Sequence, residues 1–413
     1  MITTGRVGPY VALLRGNRDF RRLYAAQLIS FAGDWFATVA LLGLVLETTN
    51  SAVAASMVVV LQMAGFAALS PVAGVLADRL DRKRLMIAAD LARVPIALLP
   101  LFADDAATIW IAFVSLFLLS AAGAFFEPSS SAALPNLVDE HELPRANVLI
   151  GSAWGTMLAI GAGLGGLAAA TLGRDAAYVI DAATFAVSAA LIIGIRRSFQ
   201  QARDHTDHAA HDTNALEAIR VALRFARQSK PIASFLLSKS TFGIGTGVVL
   251  MLAVFGRDVF HGGDVGIGLL FAARGVGALL GPFIARSVLT MDNRGLATGI
   301  AVSLAAAIVC YGLFPLMPSI WLAAPLVLGA HLGGGAQWTL STLGLQRAAP
   351  DSIRGRLFSF DFGLVTLVIG LSTLLAGAIA DVMPPQFAVW TMVGLLALAG
   401  AGWIWFSRSL WRA

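Results

Sequence analysis

From Ala52 to Ala77 the chain runs 26 residues without one ionisable side chain. Wound as an α-helix at about 1.5 Å per residue, such a segment exceeds the hydrocarbon core of a bilayer, about 30 Å thick. Segments of this kind recur along the whole sequence. The apolarity is continuous rather than alternating, which selects helices over a β-barrel, because inside lipid every backbone group must be satisfied within the protein. Composition agrees: 58% of residues are hydrophobic and 13% charged, against about 45–50% and about 25% in soluble domains. The single cysteine, Cys310, excludes a disulfide framework within the chain. No cleavable leader is expected, since the basic stretch Arg15 to Arg22 runs into a full-length span with no evident small-residue cleavage site.

The apolar segments place spans at 22–46, 52–77, 85–103, 107–131, 147–171, 175–195, 232–256, 266–289, 295–316, 319–345, 357–381 and 386–407. Twelve spans put both termini on one side. Of the 29 Lys and Arg residues, 24 fall on that side, two (Arg174 and Arg257) fall on the other, and three lie inside spans. The positive-inside rule makes the richer side cytoplasmic. The net charge of +5 therefore reports topology rather than nucleic-acid binding. The expected fold is an all-α polytopic membrane protein with twelve transmembrane helices in two six-helix bundles, 1–195 and 232–413. Between them, 196–231 reads as a cytoplasmic linker. Within that linker, Thr213 or Asn214 can cap an amphipathic helix carrying Leu216, Ile219, Leu223 and Ala226 on one face, which Pro231 should end. The halves echo each other weakly: Pro71 and Asp81 match Pro282 and Asp292 at a shift of 211, and Arg145 and Gly161 match Arg354 and Gly370 at 209. A 6+6 layout with a long central loop is the arrangement of parallel-repeat transporters.

Between spans two and three lies GVLADRLDRKR (74–84), with six charges in seven positions. This stretch resembles motif A of the major facilitator superfamily. FRRLYAAQLISFAGDW (20–35), FFEPSSSAALPNLV (125–138) and PDSIRGRLFS (350–359) resemble its bacterial branch of macrolide-efflux and enterobactin-exporter-like drug:proton antiporters. The resemblance covers nearly the whole chain. It implies a cytoplasmic gate: Gly74 letting helices approach closely, and Asp78, with Arg79 and Arg82, engaging the start of span eleven near Arg354, Arg356 and Asp361. Asp90 and Arg93, three residues apart on span three, are expected to extend that network. Asp81 stands where the family often has glycine.

Other ionisable residues lie at depths where lipid tolerates them only beside a cavity or partner. Asp34 is about 12 residues into span one, roughly 18 Å along the helix, and is the expected proton carrier together with Glu127, which precedes Pro128. Asp181 in span six reads as a packing residue. Lys239 and Arg274 can pair with acids or attract an anionic substrate. With His331, Gln337 and the aromatics Trp35, Phe126, Phe242 and Trp338, they form the candidate lining of a substrate cavity. GAGLGG (161–166) has dinucleotide-site spacing but sits in an apolar helix with no preceding strand; it better resembles the glycine-rich motif C of antiporters, without that motif's usual proline. DHTDHAAHD (204–212) reads as a solvated linker rather than a metal site.

No cofactor and no metal are expected. The resemblance implies a secondary active exporter of an amphiphilic, drug-like small molecule, coupled to protons, monomeric, in the bacterial cytoplasmic membrane, with both termini cytoplasmic. Export of a siderophore or other metabolite, or translocation of a lysophospholipid, are the alternatives within transport. A membrane enzyme would need a catalytic constellation; G-x-S-x-G and H-E-x-x-H do not occur, and LLSKST (236–241) lacks the glycine of a Walker A loop. A non-transporting sensor is the remaining class.

Overall fold

The computed structural model describes residues 8–200 and 215–411; the side chains of Pro71, Asp78, 215–219, Val221, Ala222, Asp351 and Ser352 are not described within it. The expected caps Thr213 and Asn214, the segment 204–212 and the Asp78 carboxylate thus lie outside the described residues. Every regular element among the described residues is helical. Eleven helices are long and apolar enough to cross a membrane. The remaining expected span is a continuous helix of 29 residues, Ile320–Ala348, whose His331, glycine run 333–335 and Gln337 lower its mean hydropathy.

The described chain divides into two compact units, one built from residues up to 50 and 57–205, the other from 51–56 and the residues after 205. The first contains α1 (Gly8–Gly16), α2 (Arg18–Thr49), most of α3 (Ala52–Arg79), α4 (Arg82–Ala97), α5 (Ile109–Leu137), α6 (Leu143–Leu172) and α7 (Arg174–Ile193). Asn17 starts α2 by accepting from the Phe20 N–H at 2.9 Å, while its amide donates to the Leu137 carbonyl at 2.8 Å. In the left-handed region, Asn50 (φ 48°) ends the same helix. Helix α2 is the centre of this unit and packs on α6 and α7, while α4 packs on α5 and α7. The glycine run explains the first contact: a Cβ on Gly165 would meet the Cα of Phe36 at 2.7 Å, and one on Gly161 the Cβ of Trp35 at 3.2 Å.

The second unit contains α8 (Ala215–Gln228), α9 (Lys230–Ile244), α10 (Val248–Val254), α11 (Gly263–Val288), α12 (Asn293–Leu313), α13 (Ile320–Ala348), α14 (Asp351–Val382) and α15 (Pro385–Phe406). Helix α13 packs on α11 and α12, and α9 touches α13, α14 and α15. Two expectations need correction here. Pro231 does not end α8; it sits in the first turn of α9, where its missing N–H costs nothing. The seventh span, expected as one helix over 232–256, is interrupted at 245–247 and closes with a π-turn at Phe255–Val259. The interruption is held from outside: the Ser372 hydroxyl of α14 donates to the Ile244 carbonyl at 2.5 Å and accepts from the Gly247 N–H at 2.9 Å. Groups released by the missing turn are thereby satisfied, as an apolar interior requires.

The related positions Asp81 and Asp292 have the same job in the two units. Asp81 caps α4 by accepting from the Arg84 N–H at 2.8 Å, and Asp292 caps α12 by accepting from the Gly295 N–H at 2.7 Å. Each replaces one missing hydrogen bond of a helix N-terminus. Asp292 lies outside the spans, and the Gly295 N–H followed by the Thr290 hydroxyl holds its carboxyl below the usual carboxylate range.

Candidate functional site

In the first unit, four acidic side chains from four helices gather around one buried cation. Asp34 comes from α2, Asp90 and Arg93 from α4, Glu127 from α5 and Asp181 from α7. Arg93 forms an ion pair with Asp90 one turn away on α4. The second Asp90 oxygen accepts from the Ser188 hydroxyl of α7 at 2.6 Å. The Arg93 guanidinium also lies over two aromatic rings, Phe185 at 4.3 Å and Phe126 at 5.2 Å. Asp90 and Asp181 are fully buried, whereas Asp34 and Glu127 keep partial exposure. Glu127 hydrogen-bonds Gln27, and its charge is felt by both Arg93 and Asp34. The pair Asp90–Arg93, expected to extend the motif A network into span three, is buried within this bundle, and its charges act on Asp34. Phe126, expected to line a cavity, is buried beneath Arg93. Trp35 meets Trp154 of α6 edge-on at 6.1 Å.

The second unit carries its buried charge differently. Lys239 of α9 is buried in an ion pair with Asp361 of α14, and its ammonium lies 5.1 Å from the ring centroid of Trp338 and 5.9 Å from that of Phe358. Asp361, expected to join the cytoplasmic network, lies about three turns into α14 and pairs with Lys239. Arg274 of α11 lies 5.7 Å from the Phe271 ring and is electrostatically coupled to Tyr311 and His331. His331 Nε2 is hydrogen-bonded to the Tyr311 hydroxyl at 2.5 Å, with Phe242 edge-on at 6.4 Å. The Gln337 amide donates to the Ser238 carbonyl, and its own oxygen has no hydrogen-bond partner. Five of the six expected cavity residues of this unit therefore make specific polar or cation–ring contacts, and Phe242 packs on one of them.

Among the described residues, no heavy atom of the first unit lies within 4 Å of where a Cβ on Gly74 would sit. Arg79 is exposed. Arg82 donates to the carbonyls of Ala77 at 3.2 Å, Ala132 at 2.9 Å and Phe199 at 3.4 Å. Lys83 donates to Ile193 at 3.0 Å and Ile195 at 2.7 Å, where α7 ends. Arg22 donates to Gly194 in the same turn, and Arg197 to Leu137 at the end of α5. Basic side chains here hold the carbonyl ends of helices, favoured both by hydrogen bonding and by the helix dipole. Arg354 reaches the Ala349 carbonyl at 3.5 Å, and Arg356 is half-buried. On the basic-poor side, Arg174 is paired with Glu47 at 2.8 Å and Arg257 with Asp258 at 2.6 Å. Sequence reading missed a polar pocket of about 420 Å³ lined by Asn17, Asp19, Arg22, Asp139, Glu142 and Arg196. Its parts are distant in the chain and individually look like ordinary loop charges.

A bundle of membrane-crossing helices with ion pairs buried inside each half defines a polytopic membrane protein. Residues 10–410 match the transmembrane secretion effectors, a family of the major facilitator superfamily, and the chain belongs to that family. Macrolide efflux protein A of Streptococcus pyogenes is 23% identical over 88% of this chain and 89% of its own length. The multidrug efflux pump Tap of Mycolicibacterium fortuitum is 27% identical over 86% of this chain and 88% of its own. Among solved structures, a bacterial homologue of the human lysosomal transporter Spinster superposes with a TM-score of 0.72 at 15% identity, covering 95% of this chain and 97% of that one. The nucleoside transporter NupG gives 0.71 at 15% identity, covering 94% and 99%. The chain is thus an efflux transporter of the major facilitator type.

Proposed function

We propose that this transporter exports amphiphilic, drug-like compounds by alternating access, in exchange for protons, from the bacterial cytoplasm with both termini on the cytoplasmic side. The observation that carries the reading is the pair of largely buried acidic residues, Asp34 and Glu127, on neighbouring helices of a unit in which the buried cation Arg93 is already tied to Asp90. Acids at this depth that are neither solvated nor ion-paired are costly in charged form. A group that can be reached from water and can exchange a proton for a cationic or polar substrate moiety relieves that cost. The aromatic surroundings, with Trp35 and Trp154 edge-on, suit a flat apolar ligand. Relatives named for macrolide and multidrug efflux support the substrate class.

The test is transport in proteoliposomes under an imposed pH gradient, with ethidium and a macrolide as probes. Wild-type protein should move at least one of them in a gradient-dependent manner. Asp34→Asn should abolish the gradient dependence while the protein remains monodisperse. Undiminished pH-driven transport by that variant would overturn the role given to Asp34.

A further inference from the structure

Asp181 remains without a task in this scheme, and its surroundings are unlike those of a packing residue. It is fully buried, with the Thr184 hydroxyl the donor beside its carboxylate and no ion-pair partner within 4 Å among the described residues. The adjacent Thr184 hydroxyl donates to the Asp181 main-chain carbonyl at 2.6 Å. The position of the carboxylate is set by Gly33 of α2: a Cβ there would fall 2.6 Å from Asp181 Oδ1 and 2.1 Å from Thr184 Oγ1. Asp181 therefore lies against the backbone of α2 at the residue before Asp34, and the two acids interact electrostatically. On α7, Asp181, Phe185 and Ser188 follow at i, i+4 and i+7, one stripe of the helix. That stripe carries the ring under Arg93 and the hydroxyl on Asp90. Arg93 Nε has no hydrogen-bond partner.

Of the charged groups on the helices packed against it, Asp34 on α2 and Arg93 on α4 act on Asp181, with Asp90 tied to Arg93; α6 brings no ionisable side chain after Arg145. Four carboxyl groups thus share one guanidinium, and Asp90 holds it. A buried carboxylate whose nearest cation is held by another acid is poorly sustained in an apolar interior, and adjacent acids disfavour each other's charged form.

We infer that Asp181 is a second proton-carrying group of this transporter, sharing a proton with Asp34 across the α2–α7 contact, with Arg93 as the counter-cation it acquires on losing that proton. The O–H bond on Asp181 breaks as one forms on Asp34, so no proton is gained or lost in the transfer. Release then occurs from Asp34, the partly exposed member. Arg93, stacked one turn away with its Nε unengaged, compensates the charge left on Asp181, while Ser188 continues to hold Asp90. The transport role rests on the proton-exchange reading above; the shared titration does not.

The experiment is an infrared pH titration of the full chain in nanodiscs, following the protonated-carboxyl stretching band in wild type, Asp34→Asn, Asp181→Asn and the double variant. Asp181→Asn should remove one carboxyl component and move the midpoint of the Asp34 component by about one pH unit, a tenfold change in proton affinity. An unchanged band and an unchanged Asp34 midpoint would overturn the inference. Should Asp181→Asn fail to assemble, Asp34→Asn carries the test: the two-step wild-type titration should collapse to a single step, and persistence of both steps would count against the pair. Ethidium transport in parallel vesicles separates the two ideas. Coupled titration without pH-driven transport overturns the antiport reading and leaves the carboxyl pair standing.

Discussion

The two halves of this transporter bury charge in different arrangements. In the first unit, Asp34, Asp90, Glu127 and Asp181 all feel the buried guanidinium of Arg93. In the second, Lys239 is buried in a pair with Asp361, while Asp264 is buried in the first turn of α11 and Arg274 is partly buried further along it. The scaffolds are related, down to matching aspartate caps at the start of α4 and α12. What differs is the balance. In the first unit the buried acids outnumber the cation among them, and such acids can be made neutral by binding protons; in the second the buried lysine has an acid of its own. On the proposed reading, proton handling falls to the first unit.

The sharpest way to break that comparison is to remove one acid from each pair. Asp361→Asn leaves the Lys239 ammonium buried against Trp338 and Phe358 without its carboxylate, a loss of about 3–5 kcal/mol that should appear as a large fall in melting temperature. The double variant Lys239→Met, Asp361→Leu should regain most of it. Asp90→Asn should be far milder, because Arg93 still faces three other carboxyl groups and Ser188 still has an acceptor. Equal falls for Asp361→Asn and Asp90→Asn would mean that the acid surplus of the first unit has no energetic consequence.

A second, smaller effect tests a feature present in one half alone. A Cβ on Gly247 would meet the Ser372 carbonyl at 2.4 Å and the Ala376 Cβ at 2.8 Å. Gly247→Ala should cost about 1–3 kcal/mol by overpacking, read as a lower melting temperature, whereas alanine at Gly74, with open space around it, should leave stability unchanged. The smallest effect should be common to both halves. Asp81→Ala and Asp292→Ala should each lower the melting point slightly and similarly, since each removes one helix cap. The Asp292 carboxyl titrates below its unfolded value, so its contribution is complete at neutral pH and is lost as pH falls through the lowered folded value. Asp292→Asn should keep the cap and remove that acid sensitivity.

Much of the architecture was legible because its signal is large: about twenty apolar residues in succession admit few structures, and the observed helices begin and end within a few residues of the expected spans. The charged positions inside those spans were legible too, as residues that lipid alone would not tolerate. Their partners were not. Lys239 and Asp361 are 122 positions apart, and nothing in either segment says that α9 and α14 bring them together. Asp181 reads as packing because outer helices of this fold seldom touch substrate, and no local signal shows how close it lies to α2 at Gly33. The interruption at 245–247 was hidden for a different reason. Glycine is common in membrane helices, and only the approach of Ser372 distinguishes these glycines from the rest.

That interruption has a consequence for how force moves through the second unit. At 244–247 the seventh span has no continuous ladder of its own, and one hydroxyl on α14 serves as the missing rung for both pieces. Rigidity there is borrowed, so a tilt of α14 would be felt at once above and below the gap. Lys239 sits on the lower piece less than two turns away, bound to the same α14 through Asp361. Helix α14 thus grips the seventh span at two points, one neutral and one ionic, and the segment between them is the length over which the two helices must move together.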